Sequence, residues 1–239
     1  MPTPEQLQER PFFDAGRLPN PGSEYVGWFD VVGTQSHLTQ SHKRAANFFA
    51  KIHLAALRCR EDPVRLYPVM DGVYVTSPSR SSFVDFVHAF YRLLSVTFCG
   101  EEKCQHRFVV RGAVAFGPVT HGRTIPGDCA HFENPPYRDA LLIGMPMVHA
   151  YQAEHQAPPF GIFIHDSGRS FAPAGDAPLS GRWWRWWRAE DEPLISEMRV
   201  ALPQFYSWAL GHAQEFDYPP SRIAEHRATA FEYFEIATG

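Results

Sequence analysis

The sequence has few of the features that mark secreted, membrane or zinc-finger proteins. It contains four cysteines, none in a Cys-x-x-Cys pair, so we expect reduced thiols and neither a disulfide framework nor a zinc finger. No apolar run reaches membrane-spanning length, and residues 1–10 carry acidic side chains where a signal peptide would be apolar. These absences predict a cytoplasmic protein with no membrane partner.

Positive charge is also scarce. The chain has 22 Lys and Arg against 26 Asp and Glu, a net charge of −4, and no clustered basic face that would attract a nucleic-acid backbone. Its twelve histidines include no His-x-x-x-His or His-Glu-x-x-His pair. Binding of nucleic acid and a helix-borne zinc site are therefore not expected.

The composition and periodicity of the 239 residues predict one compact α+β domain, with 44% hydrophobic residues to form its core. Strands are predicted over 24–33, 64–69, 73–75, 107–119 (broken at Gly112 and Gly117) and 160–165. Helices are predicted from Ser41, from Pro78 to Gly100, and over 139–154, 193–213 and 219–234. This order predicts a ferredoxin-like palm, with a leader at 1–22, a domain at 23–170 and a C-terminal extension at 171–239 packed on it.

Two acidic residues stand inside apolar, β-prone segments. Asp30 lies near the end of the first predicted strand, and Asp71 lies in an Asp-Gly dipeptide that favours the tip of a hairpin. Burying carboxylates costs several kcal/mol unless a partner offsets it, and a divalent cation tolerates two carboxylates together. The pair therefore predicts a two-metal phosphate site, with structural roles in a turn or a hairpin as the alternative.

Two further segments have more than one interpretation. The run 182–188 alternates Trp and Arg, which could stack bases but more often packs against a core with Arg stems covering the rings. The long Gly- and Pro-rich loop over 122–136 is a candidate lid or dimer arm.

The motifs around the two acids resemble those of class III nucleotide cyclases. The segment 30–33 is similar to the first metal motif of that family, Met70-Asp71-Gly72 to the second, and 111–122 to its Arg-x-Gly strand. The resemblance covers about two thirds of the chain. It implies a homodimer with sites across the interface, two Mn²⁺ or Mg²⁺ ions held by Asp30, Asp71 and the Val31 carbonyl, and a nucleoside triphosphate substrate.

Departures from the purine cyclases indicate a subgroup. Tyr67 replaces the usual base-contacting Lys or Glu, and Val148 and Gln152 replace the Asn and Arg of a later helix. The segment 144–154 resembles instead the pyrimidine cyclases of bacterial Pycsar antiphage systems, which feed a separate effector. This implies a uridylate cyclase making cyclic UMP, with cytidylate cyclase activity as the alternative.

The resemblance assigns roles to matching residues. Gly33 and Thr34 would offer backbone N–H groups to the triphosphate, and Tyr67 would contact the base. Arg111 is the candidate for the transition-state cation, although Arg123 and Arg138 are not excluded and an ion pair with a structural carboxylate is an alternative role for Arg111. A non-catalytic nucleotide-binding or dimerisation module, a purine cyclase and an aromatic interaction module remain competing functions.

Overall fold

The computed structural model describes residues 14–126, 134–214 and 218–237. Its strands are β1 (Gly22–Val31), β2 (Arg65–Val69), β3 (Gly72–Ser77), β4 (Val110–His121), β5 (Leu142–Ile143), β6 (Ile162–Ile164) and β7 (Trp183–Trp184). Its helices are α1 (Thr34–Gln40), α2 (His42–Cys59), α3 (Arg80–Gly100), α4 (Pro135–Asp139), α5 (Met145–Ala153), α6 (Asp166–Ser170), α7 (Glu192–Gly211) and α8 (Pro220–Tyr233).

The strands form one sheet in the order β2-β3-β1-β4-β6-β7, and β5 pairs with the far end of β4. Strand β1 is antiparallel to both β3 and β4, β2 and β3 form an antiparallel hairpin, and β6 runs parallel to β4. The ferredoxin-like arrangement has the chain order strand, helix, hairpin, helix, strand. Here these elements are β1, α2, the β2–β3 hairpin, α3 and β4, and β1 lies inside the sheet between β3 and β4. The predicted α+β ferredoxin-like sheet is therefore confirmed.

The two faces of the sheet are covered differently. Phe29 and its neighbours on one face pack against the aromatic residues of α2 and α3, including Phe48 and Phe90. The other face, which we call the α5 face, carries Trp28 and packs in part against Ala150 of α5. Because directly opposed residues of antiparallel strands share a face, Asp30 and Arg111 lie on the α5 face as well.

The C-terminal extension shares the main hydrophobic core. Trp186 is 2% exposed and its indole Nε1 donates to the Phe160 carbonyl oxygen at 2.9 Å. Residues of α7 and α8, among them Met198 and Phe234, belong to the same cluster as Phe29. The packing interpretation of the Trp-Arg run is confirmed, and the domain boundary at 170 stays a prediction.

Two predictions about secondary structure are wrong, and one helix has no counterpart among them. Strand β4 is not broken at Gly112 or Gly117 but continues to His121. The glycine at 112 leaves room for a neighbouring ring, because a Cβ at this position would lie 2.2 Å from the Phe29 side chain. The segment 139–154 is not one helix, since Leu142–Ile143 pairs with β4 and Pro146 occupies the first turn of α5. Helix α1 was not predicted, and of the candidate lid or dimer arm, residues 127–133 lie outside the described residues.

Candidate functional site

The two predicted metal-binding acids lie at the same end of the sheet. Asp30 is the penultimate residue of β1, opposite Gly72 of β3 on one side and Arg111 of β4 on the other. Asp71 lies in the β2–β3 turn, and its carbonyl oxygen accepts from the Val31 amide at 3.3 Å. The prediction that Asp71 occupies the hairpin tip is confirmed, and the turn places it beside the end of β1.

Thr34 connects the end of β1 to Asp71. Gly33 adopts a left-handed backbone conformation with φ of +83°, which turns the chain from β1 into α1. The Thr34 hydroxyl then donates to the Asp71 carboxylate and lies 3.0 Å from the Val31 carbonyl oxygen. Thus the predicted site residues Asp30, Val31, Gly33, Thr34 and Asp71 are brought together.

Asp30 is in an environment that disfavours a bare carboxylate. Burial raises its pKa to about 9, the charge of Glu154 and a hydrogen bond with that side chain raise it further, Arg111 opposes the increase and Asp71 adds a smaller part. Its Oδ1 atom is buried and has no hydrogen-bond partner among the described residues. A buried, unpartnered carboxylate oxygen beside other acids fits a bound cation.

Few side chains at this end of the sheet could act as metal ligands. No group of three or more His, Cys, Asp and Glu side chains with metal-binding placement occurs in the described parts of the chain. Asp30, Asp71 and the Val31 carbonyl provide oxygen ligands, the type that Mg²⁺ and Mn²⁺ prefer, and Mg²⁺ usually keeps waters and substrate phosphates as its other ligands. The residues present therefore fit one or two such ions.

Arg111 is engaged by a carboxylate from the segment that follows α5. Its guanidinium makes a bidentate ion pair with Glu154, through Nε to Oε1 and through Nη2 to Oε2 at 3.3 Å. The Arg111 and Glu154 side chains are 14% and 10% exposed. The ion-pair role considered for Arg111 is thus present, beside Asp30, and its predicted part in catalysis stays a prediction.

Sequence reasoning missed a contribution from the C-terminal extension. His226 of α8 lies with Nε2 3.4 Å from Arg111 Nη1, and its Nδ1 contacts the Tyr218 hydroxyl. Burial, with the charges of Arg111 and Arg222, lowers the pKa of His226 to about 4. The imidazole is therefore neutral and accepts from Arg111. No motif signals this contact, which joins residues 115 positions apart.

Tyr67 is placed on the same face as Asp30 but further from the sheet end. Tyr67 lies opposite Tyr74 of β3, which in turn lies opposite Trp28 of β1. Trp28 is two residues before Asp30 in β1, and β2 is two strands away from β1. Strand geometry puts it about 7 Å along and about 10 Å across the sheet from Asp30. That separation is comparable with the length of a nucleoside triphosphate.

Tyr67 already has a protein partner. It is 7% exposed, and its hydroxyl contacts His121 Nδ1. Tyr67 also lines a cleft of about 330 Å³ between β2 and α2, together with Arg123, Asp139 and, from α2, His53 and Leu57. The other candidate cation, Arg138, lies 3.3 Å from the Asp139 carboxylate. The base contact of Tyr67 remains a prediction.

The comparisons with known proteins give low similarity. No protein-family model and no curated protein matches the sequence. Among solved structures, the chain is similar to a guanylyl cyclase domain of the RhoGC fusion protein from the aquatic fungus Blastocladiella emersonii, with a TM-score of 0.45 and 16% identity over 63% of this chain and 82% of that one.

A second similar structure is a class III adenylyl cyclase-like ATP-binding protein from Pseudomonas aeruginosa, with a TM-score of 0.41 and 13% identity over 88% of this chain and 44% of that one. Both TM-scores are below 0.5, and neither similarity assigns an activity or a substrate to this chain. Within the described residues, no helix combines the length and apolar character that crossing a membrane requires.

Proposed function

We propose that this protein is a class III-type nucleotide cyclase that converts UTP to cyclic UMP and pyrophosphate, as in Pycsar antiphage systems. The observation that carries the proposal is the meeting of Asp30 and Asp71 at one end of a ferredoxin-like sheet, with a buried Asp30 oxygen that has no partner among the described residues. In the reaction a bond forms between the ribose 3′-oxygen and the α-phosphorus while the bond to pyrophosphate breaks.

Asp30, Asp71 and the Val31 carbonyl are the residues that would hold the cations. When bound, Mn²⁺ or Mg²⁺ would neutralise triphosphate charge and lower the pKa of the 3′-hydroxyl. Thr34 orients the Asp71 carboxylate through its hydroxyl, and the turn at Gly33 lies at the same end of the sheet. The backbone amides of Gly33 and Thr34 are the proposed contacts to the phosphates.

Arg111 is the proposed cation for the charge that develops on the α-phosphate. Glu154 and His226 fix its guanidinium beside Asp30 from two sides. Such fixed charge costs little reorganisation when the reaction occurs. Tyr67, on the same face, is the proposed contact to the base.

The proposed assembly is a homodimer that encloses the site, and its product acts on a separate effector. Several apolar side chains of β5 and α5 are exposed, namely Ile143, Met145, Val148 and Tyr151. Tyr151 also contacts Trp28, which precedes Asp30 on the same face of β1. Exposed apolar surface next to the site is what a second copy would cover.

Two alternatives are favoured by particular observations. A hydroxyl at Tyr67 can accept as well as donate, which allows CTP and a cyclic CMP product. Neutralisation of Arg111 by Glu154, together with Val148 and Gln152 on α5, favours a nucleotide-binding module without catalysis.

The deciding experiment incubates the purified chain with Mn²⁺ and each of the four ribonucleoside triphosphates, and identifies products by chromatography and mass spectrometry. The double variant Asp30→Ala/Asp71→Ala should lose product, while Asp176→Ala, an exposed acid away from the site, should keep it. Cyclic UMP from the unmodified chain supports the proposal, cyclic CMP favours the first alternative, and no cyclic product with retained nucleotide binding favours the second.

A further inference from the structure

Three buried polar side chains form a hydrogen-bonded chain on the α5 face. Glu24 Oε1 lies 3.0 Å from His121 Nε2, and His121 Nδ1 contacts the Tyr67 hydroxyl. The Glu24 and His121 side chains are 8% and 6% exposed. These three hydrogen-bonded side chains come from β1, β4 and β2, and the last of them, Tyr67, is the residue proposed to contact the base.

Glu24 determines which ring nitrogen of His121 carries a proton toward it. Burial raises its pKa, but the hydrogen bond and charge of His121, with smaller contributions from Thr76 and Arg65, outweigh burial and lower the pKa overall. Glu24 is therefore a carboxylate and can only accept. Consequently His121 carries a proton on Nε2, and only the state of Nδ1 remains variable.

The state of Nδ1 determines what the Tyr67 hydroxyl can offer to a third group. Burial raises the pKa of Tyr67, so the hydroxyl keeps its proton. When His121 is neutral, Nδ1 accepts this proton and the phenol oxygen is left as an acceptor. When His121 is an imidazolium, Nδ1 donates to the phenol oxygen and the Tyr67 proton is free to be donated elsewhere.

We propose that Glu24 and His121 are positioning residues that set the hydrogen-bonding polarity of Tyr67 and thereby the choice between pyrimidine bases. The inference rests on the proposed cyclase function. Cytosine presents an amino donor at ring position 4 and uracil a carbonyl acceptor. Neutral His121 thus favours CTP, and protonated His121 favours UTP.

Three charged groups and one hydroxyl surround these hydrogen-bonded side chains. Arg65 of β2 lies 3.2 Å from Glu24 Oε1, and Thr76 of β3 adjoins the same carboxylate. Arg123, which follows β4, and Asp139 of α4 act on Tyr67 from the side of the cleft. Tyr67 lines the cleft of about 330 Å³ between β2 and α2, which has room for a base beside this residue.

The first test compares kcat/KM for CTP and UTP in the unmodified chain, in Glu24→Gln and in Tyr67→Phe. Glu24→Gln keeps an oxygen that accepts from His121 Nε2 but removes the negative charge that stabilises an imidazolium, so the ratio of CTP to UTP should rise about tenfold, the size expected when one hydrogen bond changes from unmatched to matched. In Tyr67→Phe, which lacks the hydroxyl, adding Glu24→Gln should leave the ratio unchanged. A general loss of stability would lower both rates and leave the ratio unaffected. An unchanged or lower ratio in Glu24→Gln would overturn the inference.

The second test needs no turnover. Long-range ¹H–¹⁵N NMR spectra of ¹⁵N-histidine-labelled protein report the protonation state of His121, which is assigned by its loss in His121→Asn. The probes are 3′-deoxy-CTP and 3′-deoxy-UTP, which lack the attacking hydroxyl. We expect the cytosine analogue to increase the neutral form and the uracil analogue the imidazolium, with both effects absent in Tyr67→Phe.

The two tests separate the two proposals. If no triphosphate is cyclised, the cyclase function fails, and the NMR result alone decides the role of His121. Opposite shifts at His121 support the inference for a nucleotide-binding protein, whereas identical spectra with both analogues overturn it. Cyclisation combined with identical spectra would leave the function standing and remove this role.

Discussion

Asp30 is the residue at which the sheet, the acids and Arg111 meet. Its carboxyl group has three charged neighbours, Glu154, Asp71 and Arg111, and burial is the largest influence on its pKa. Two of the three neighbours repel a second negative charge. Its ionisation should therefore be coupled to whether a cation is bound.

We predict that, without divalent cations, the free energy of unfolding falls as pH rises from about 4 to 9. The folded pKa of about 9 exceeds the ordinary value of 3.8, so between these values the folded chain binds more protons than the unfolded chain. The loss should be on the order of a few kcal/mol. Urea unfolding in EDTA at several pH values measures it.

Asp30→Asn should flatten this dependence and be more stable than the unmodified chain at pH 8, whereas the exposed-site control Asp176→Asn should retain the slope. Saturating Mn²⁺ should stabilise the unmodified chain more at pH 8 than at pH 5. Equal slopes in all three proteins would show that Asp30 is not the group responsible.

Individual residues were predictable where their signal is local. An acid inside an apolar strand and an Asp-Gly pair between two strands located Asp30 and Asp71. The partners of Tyr67 and Arg111 were not predictable, because they are distant in sequence. His121 lies 54 residues from Tyr67 and is placed by β4, and His226 lies 115 residues from Arg111 and is placed by α8.

At the scale of elements, α8 reaches the site through the neutral imidazole of His226, which contacts Arg111. Burial, then the charges of Arg111 and Arg222, lowers the pKa of His226 to about 4, below its ordinary value of 6.5. Between these values the unfolded chain binds more protons than the folded chain. The stability contributed by this group is thus present above pH 6.5 and lost as pH falls toward 4.

We expect His226→Asn to lose less stability than the unmodified chain between pH 6.5 and 4.5. The difference should be roughly 1–2 kcal/mol, since the substituted side chain does not titrate. His37, whose pKa burial also lowers to about 4, should supply a further part of the acid sensitivity. Urea unfolding at each pH gives the comparison, with the exposed His155→Asn as control. A variant that follows the unmodified curve throughout would contradict the assignment.

Elements were predictable where caps and periodicity agree. Ser41 and Ser79 accept from the backbone amides of Arg44 and Ser82, as expected of residues that start α2 and α3. The start of α5 was missed because the two-residue strand before it exists only through pairing with β4. Local propensity carries no information about such a distant partner.

At the scale of the whole molecule, the exposed apolar residues of β5 and α5 lie next to the proposed active site. Val148 is 42% exposed and Tyr151 is 60% exposed. We predict that Val148→Asp/Tyr151→Asp shifts the proposed homodimer to monomers and lowers cyclase activity at least tenfold, because a buried charge would replace apolar contact.

Sedimentation velocity over a range of concentrations measures the association. The control is Val200→Asp, which places a charge at an apolar position on α7 that is 60% exposed, as Tyr151 is. An unmodified chain that sediments as a monomer at assay concentration, or a double variant that remains dimeric, would rule out this surface as the interface.

The contact between Arg111 and His226 also has a consequence in time. At about 5–20 residues per second, the 115 residues between them take roughly 6–23 seconds to synthesise. Glu154 emerges much sooner, 43 residues after Arg111, so the ion pair can form on a growing chain well before α8 exists. Asp30, Arg111 and Glu154 are therefore all available on the growing chain before His226, the second partner of the guanidinium, has been synthesised.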